Sequence, residues 1–170
     1  MNADEIRSLQ APLKEQYRQR PDTALVTLRA EGRTGTGVTC KVETGKALVE
    51  AGLHPATGGD GLSACSGDML LEALVACAGV TLRAVATALD ITLRDAIIRA
   101  EGDLDFRGTL AVSKDVPVGF QRIRLIFELD AEASEQELAT LLRLTERYCV
   151  VYQTLNRPAK IDIVQRTTRL

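Results

Sequence analysis

Two cysteines stand where thiol chemistry would be worth having. Cys77 lies near the centre of the longest apolar stretch, Asp68–Leu89, and Cys149 lies on the apolar stripe of the only other strongly periodic helical segment. A thiol inside an apolar helix has its pKa raised, which makes it inert. The helix dipole does not rescue Cys77, because its effect fades beyond the first turn. Reactivity would need a cation brought from elsewhere. A guanidinium suits best, because it stays charged when desolvated. A carboxylate would then hold the arginine, and Asp68 and Glu72 are the acids on the same helix. The plain alternative is that both cysteines are small packing residues.

The remaining candidates carry less. Cys40 falls in the alternation of a strand and reads as inert, and Cys65 sits just before the apolar helix. No C-x-x-C occurs, so a thioredoxin-type motif is missing. A single histidine, His54, beside Pro55, supplies a Cys/His metal site poorly and reads as a loop residue. Gly58-Gly-Asp-Gly61 lacks the Lys-Ser or Lys-Thr of a phosphate loop. It reads as a connector, or as a gate before the helix.

Composition narrows the setting. The chain has 170 residues, 45% of them hydrophobic, enough for a core without staples. Net charge is −2, aromatics are 4% and Trp is absent, which leaves no footprint for nucleic acid. The N-terminus lacks the apolar core of a signal peptide. Glu72 and Arg83 would each cost about 2.5–3.5 kcal/mol near a bilayer centre, so Asp68–Leu89 is not read as a membrane span. A cytoplasmic location with free thiols is expected.

The elements that must position the thiols follow from periodicity. Ile6, Leu9, Leu13 and Tyr17 mark an amphipathic helix over 3–18, bent or delayed by Pro12. It packs on another element or a partner chain, or hangs as a loose arm. Residues 1–22 form a helical extension and 23–170 the main domain. From Thr23 the period changes to two, and three short strands with glycine turns at 31–35 and 43–45 predict a meander ending at Ala47–Glu50. Ser66 is the expected N-cap of the apolar helix. Two longer strands follow, over 91–106 and 120–130, with a loop at 107–119. The capping box Ser134-Glu-Gln-Glu137 opens a helix that closes at Asn156-Arg-Pro158, with Cys149 on its inward face. Residues 160–168 predict a final strand. The order is that of an α+β fold with antiparallel sheets around a long buried central helix.

At Leu70-Leu-Glu-Ala-Leu-Val-Ala-Cys77, Gly102-Asp-Leu-Asp, Gly119-Phe120 and Glu146-Arg-Tyr-Cys149 the chain resembles the family of osmotically inducible protein C and organic hydroperoxide resistance protein (OsmC/Ohr). The resemblance spans about residues 23–168. It implies an intertwined homodimer with central helices between sheets and sites at the subunit interface. It implies no metal, haem or nicotinamide, an organic hydroperoxide as substrate and a dithiol as reductant. Cys77 would be the peroxidatic thiolate and Cys149 the resolving thiol, joined in a disulfide. Gly32-Arg33 matches the setting of the family's activating arginine, and Asp68 is the nearest acid to its glutamate partner, with a different register and a shorter side chain. Cys149-Val150 stands where many members have Cys-Pro, a change expected to affect backbone freedom and not the thiol. The alternatives are a non-catalytic small-molecule or lipid-binding protein of the same fold, and a thiol redox sensor.

Overall fold

The computed structural model describes residues 3–35, 40–42 and 51–165. The turn at 43–45 and the strand read over Ala47–Glu50 lie outside them. Helix α1 (Ala3–Gln19) is followed by strands β1 (Leu25–Thr34) and β2 (Cys40–Val42), then by the long helix α2 (Ser66–Ala88). Strand β3 (Thr92–Asp105), the short helix α3 (Phe106–Thr109) and strand β4 (Arg122–Glu132) come next. Helices α4 (Glu135–Tyr148) and α5 (Val150–Asn156) complete the described elements.

The sheet is antiparallel with order β2-β1-β3-β4. β1 does pair with β2, as a meander requires, but its other edge takes β3, in register from Leu25↔Asp105 to Arg33↔Ile97. Sequence periodicity could not supply that non-local pairing. β3 then pairs with β4 from Thr92↔Glu132 to Asp103↔Arg122, with a bulge between Leu93 and Asp95. The bulge resets the alternation, so Leu93 and Ala96 face inward together with Ile98 and Ala100.

That inward face meets α2. Leu71, Leu74, Val75, Ala78, Leu82, Val85 and Ala86 are buried against it, with Leu141 and Cys149 from the opposite side. α2 has the length and apolarity to cross a membrane, yet here it is the central core helix. Each buried Leu or Val contributes roughly 1.5–3 kcal/mol relative to exposure. Ala78 and Gly79, both buried, allow close approach of the layers.

The outer face of the sheet is charged. Arg99 binds Glu31 at 2.7 Å and also Glu128, Arg124 binds Asp103 at 2.5 Å and Glu101 at 3.0 Å, and Arg94 binds Asp130 and Glu132 at 2.6 Å each. The Arg124 and Thr27 hydrogen bonds hold the Asp103 carboxyl well below the usual carboxylate range. All helices that pack on this sheet core therefore use its other face.

α1 runs unbroken through Pro12 and is not a loose arm. The Tyr17 hydroxyl donates to the Ala56 carbonyl at 2.8 Å, Gln10 donates to the Thr57 carbonyl at 3.2 Å, and Tyr17 is buried with Ala24, Phe106 and Leu110 in a second small core. The His54 ring stacks on Phe106 at 4.9 Å and its Nδ1 accepts from the Ala56 N–H at 3.0 Å. His54 is thus a structural loop residue. The strand expected over 160–168 does not form in its described part, 160–165, and Ile161, Ile163 and Val164 stand 86%, 95% and 77% exposed.

Candidate active site

The helix expected over 134–157 is two helices. Its capping box forms as read, with the Glu137 N–H donating to Ser134 Oγ at 3.3 Å and the Ser134 N–H to Glu137 at 2.8 Å. At Cys149 the backbone turns extended (φ −71°, ψ 108°), which ends α4 and starts α5. The Cys149 N–H still donates to the Thr145 carbonyl at 2.9 Å, and its own carbonyl accepts the first α5 bond from Gln153 at 2.9 Å. The Gln153 side chain donates to the Glu146 carbonyl at 2.8 Å, which the break leaves without a helical partner. Cys149 caps α5, accepting the Tyr152 N–H on its sulfur at 3.5 Å.

The break leaves the Val150 and Val151 N–H groups outside the α4 ladder, beside Cys77. This thiol is partly exposed on α2 and unoxidised, as is the buried Cys149. Burial opposes ionisation of Cys77, but hydrogen bonds from the Val151 N–H, the Cys149 thiol and the Val150 N–H outweigh it and hold the Cys77 thiol below its ordinary value. Thr81 Oγ1 is within reach of the sulfur too, but its one proton goes to the Cys77 carbonyl at 2.8 Å. Cys149 goes the other way: burial, with the neighbouring Cys77 sulfur, pushes it up to about 11 against the donation from Tyr152. The two thiols titrate as a pair. The first proton leaves Cys77, because Cys77 collects the donors and Cys149 keeps its own proton to donate.

The expected arginine is elsewhere. Gly32 faces the core and the next residue of β1 must face out, so the Arg33 side chain is 61% exposed and lies 3.6 Å from Asp95 on the charged face. Within the chain it does not reach Cys77, because strand alternation places it on the wrong side of the sheet. Asp68 stands in the first turn of α2, about 13 Å along the axis from Cys77. Burial raises its carboxyl pKa and only the nearby His54 lowers it, so the Arg33–Asp68 clamp is not assembled within the chain. Glu72, on the next turn, is half-buried and has no ion pair among the described residues. The N-cap of α2 is Cys65, with Ser66 at the first helical position. Arg83 instead ties α2 to the sheet, donating to the Leu93 carbonyl at 2.6 Å and the Gly35 carbonyl at 3.2 Å.

The replacement of proline at Val150 also acts differently from expectation. A proline has no N–H, whereas the Val150 N–H is among the groups that lower the Cys77 pKa. Helical periodicity hides these donors, since Cys149, Tyr152 and Leu155 keep the stripe across the break. The signal available was Val150-Val151, two β-branched residues in succession after a cysteine able to cap. Among the described residues no group of three or more His, Cys, Asp or Glu is gathered as a metal site.

A family model described as OsmC-like protein matches residues 58–164. No curated protein matches the chain. Among solved structures, an OsmC-like hydroperoxide resistance protein from Jannaschia sp. CCS1 superposes with a TM-score of 0.60 at 18% identity, covering 85% of this chain and 95% of that one. An OsmC-like protein from Mycoplasma pneumoniae superposes with a TM-score of 0.55 at 17% identity, covering 79% and 86%. At these identities the likeness shows the α+β fold.

Proposed function

Because the chain belongs to the OsmC-like family, we propose that it reduces organic hydroperoxides through Cys77 and Cys149. The observation that carries this reading is the Cys77 thiol on α2 with Cys149 and the Val150 and Val151 N–H groups beside it, which lower its pKa. A thiolate held by such donors is the nucleophile that peroxide cleavage needs. The Cys77 thiolate attacks the terminal oxygen of ROOH. The S–O bond forms as the O–O bond breaks, and the alkoxide takes a proton to leave as ROH. Cys77 is now a sulfenic acid. The neighbouring Cys149 thiol attacks that sulfur and releases water, forming the disulfide. A dithiol reductant then opens it by exchange, ending as its own disulfide and restoring both thiols.

This chemistry draws on no metal, haem or nicotinamide, and a cytoplasm that keeps dithiols reduced is the compartment that suits it. We place the working unit as a homodimer. An apolar strip on α2, comprising Met69, Leu70, Ala73, Val80 and Ala84, is exposed beside the half-exposed Cys77, and so are Ile161 and Ile163. A second reading, a thiol sensor or binding protein, is favoured by one observation: among the described residues no guanidinium hydrogen-bonds the Cys77 sulfur. Steady-state turnover separates the two. With dithiothreitol as reductant, cumene hydroperoxide is consumed over many cycles by the wild type and not by Cys77→Ser. One oxidation without turnover would favour the sensor.

A further inference from the structure

α2 places a hydroxyl beside its own thiol. Thr81 follows Cys77 by four residues, and side chains so spaced are neighbours on a helix surface. Both residues are half-buried. Thr81 Oγ1 donates to the Cys77 carbonyl at 2.8 Å and stands within reach of the Cys77 sulfur. That carbonyl already has a partner, the Thr81 N–H, because both residues lie inside α2. The hydroxyl bond is a second one, so the carbonyl is still satisfied without it. Thr87, Thr140 and Thr154 make the same bond one turn back, to the carbonyls of Arg83, Gln136 and Val150. The bond itself is ordinary helix behaviour. What sets Thr81 apart from those three is the cysteine sulfur one turn back.

A hydroxyl has one proton, which rotates about the C–O bond to the better acceptor. Beside a thiol that acceptor is the carbonyl, and the oxygen turns a lone pair toward the S–H. Beside a thiolate the same lone pair would face a negative charge, and a hydrogen bond to a charged group is roughly twice as strong as a neutral one. The geometry points to the Thr81 hydroxyl as a donor to the Cys77 thiolate, turned to the Cys77 carbonyl while the thiol is protonated and to the sulfur once it ionises. Thr81 keeps its proton throughout. The Cys77 proton leaves to solvent, and only the acceptor of the hydroxyl changes. The titratable group facing the sulfur is Cys149, from the junction of α4 and α5. Glu72 and Arg83, five and six residues from Cys77 along α2, fall on other faces of that helix. The assignment rests on the peroxidase reading for its purpose: α2 itself supplies a side-chain donor to the nucleophile, which Arg33 does not within the chain.

Alkylation of Cys77 by iodoacetamide, read across pH from the mass of its peptide, tests this in three variants. Thr81→Val keeps the branched shape, removes the donor and raises the midpoint. Thr81→Ser keeps the hydroxyl and stays with the wild type. Thr87→Val loses the same kind of carbonyl bond away from the thiol and does not move the midpoint. Oxidation of Cys77 by cumene hydroperoxide then splits with pH. Below both midpoints Thr81→Val is slower by about threefold, a roughly tenfold loss of thiolate offset in part by a more nucleophilic sulfur. Above them it equals or exceeds the wild type, whereas a structural disturbance would slow it at every pH. An unmoved midpoint in Thr81→Val, an equal rise in Thr81→Ser or Thr87→Val, or slowing at every pH overturns the assignment alone. A raised midpoint in Thr81→Val, with no oxidation of wild-type Cys77 by any hydroperoxide, upholds the hydrogen bond and overturns the peroxidase reading.

Discussion

Against the burial that opposes it, nearby backbone N–H groups and a second thiol lower the Cys77 pKa. A buried thiol in the middle of an apolar helix should be inert, and the residues of α2 alone give no reason to think otherwise. What changes its state is the helix break at Cys149, between α4 and α5. The Val150 N–H makes a sharp test, because proline is well tolerated at the first position of a helix and removes only that donor. Val150→Pro should fold, and the pH midpoint of Cys77 alkylation by iodoacetamide should rise. In the wild type that midpoint is expected to be lowered from the ordinary thiol value. Reactivity is lost as pH falls through it, while Cys149 keeps its proton until about pH 11. An unmoved midpoint in the variant would mean that Val150 does not matter to the sulfur. Arg33 has the right neighbours in sequence, but strand alternation turns it to Asp95.

At the scale of elements, local signals were legible and non-local ones were not. The apolar run of α2 and the alternation of β4 reappear as drawn, since burial on one face writes itself into the sequence as a period. The capping box at Ser134 was equally plain. The break at Cys149 was hidden because apolar spacing continues through it, and the pairing of β1 with β3 has no local trace. Gly102 is where a strand position makes room for an aromatic ring. Gly102→Ala places a Cβ against the Phe120 ring, so the ring must move. The variant should lose about 1–3 kcal/mol in urea unfolding, the usual cost of overpacking. Unchanged stability would show that Phe120 turns aside freely.

Among the described residues, the sheet's outer face is charged and the exposed face of α2 is apolar. The sheet's outer surface is laced with cross-strand ion pairs and needs no partner, whereas α2 and the segment after α5 expose apolar side chains. Ile161, Ile163 and Val164 alternate as a strand does only in part, but nothing in the described chain covers them. A second copy would. Ile163→Asp should therefore shift the mass measured by analytical ultracentrifugation from dimer toward monomer; a wild-type monomer at micromolar concentration would contradict the assembly. The most direct test of the central claim is the mass of reduced protein after one equivalent of cumene hydroperoxide. The account predicts loss of two hydrogens with a Cys77–Cys149 peptide pair, and a single added oxygen on Cys77 in Cys149→Ala. A disulfide through Cys65, or unmodified thiols, would contradict it.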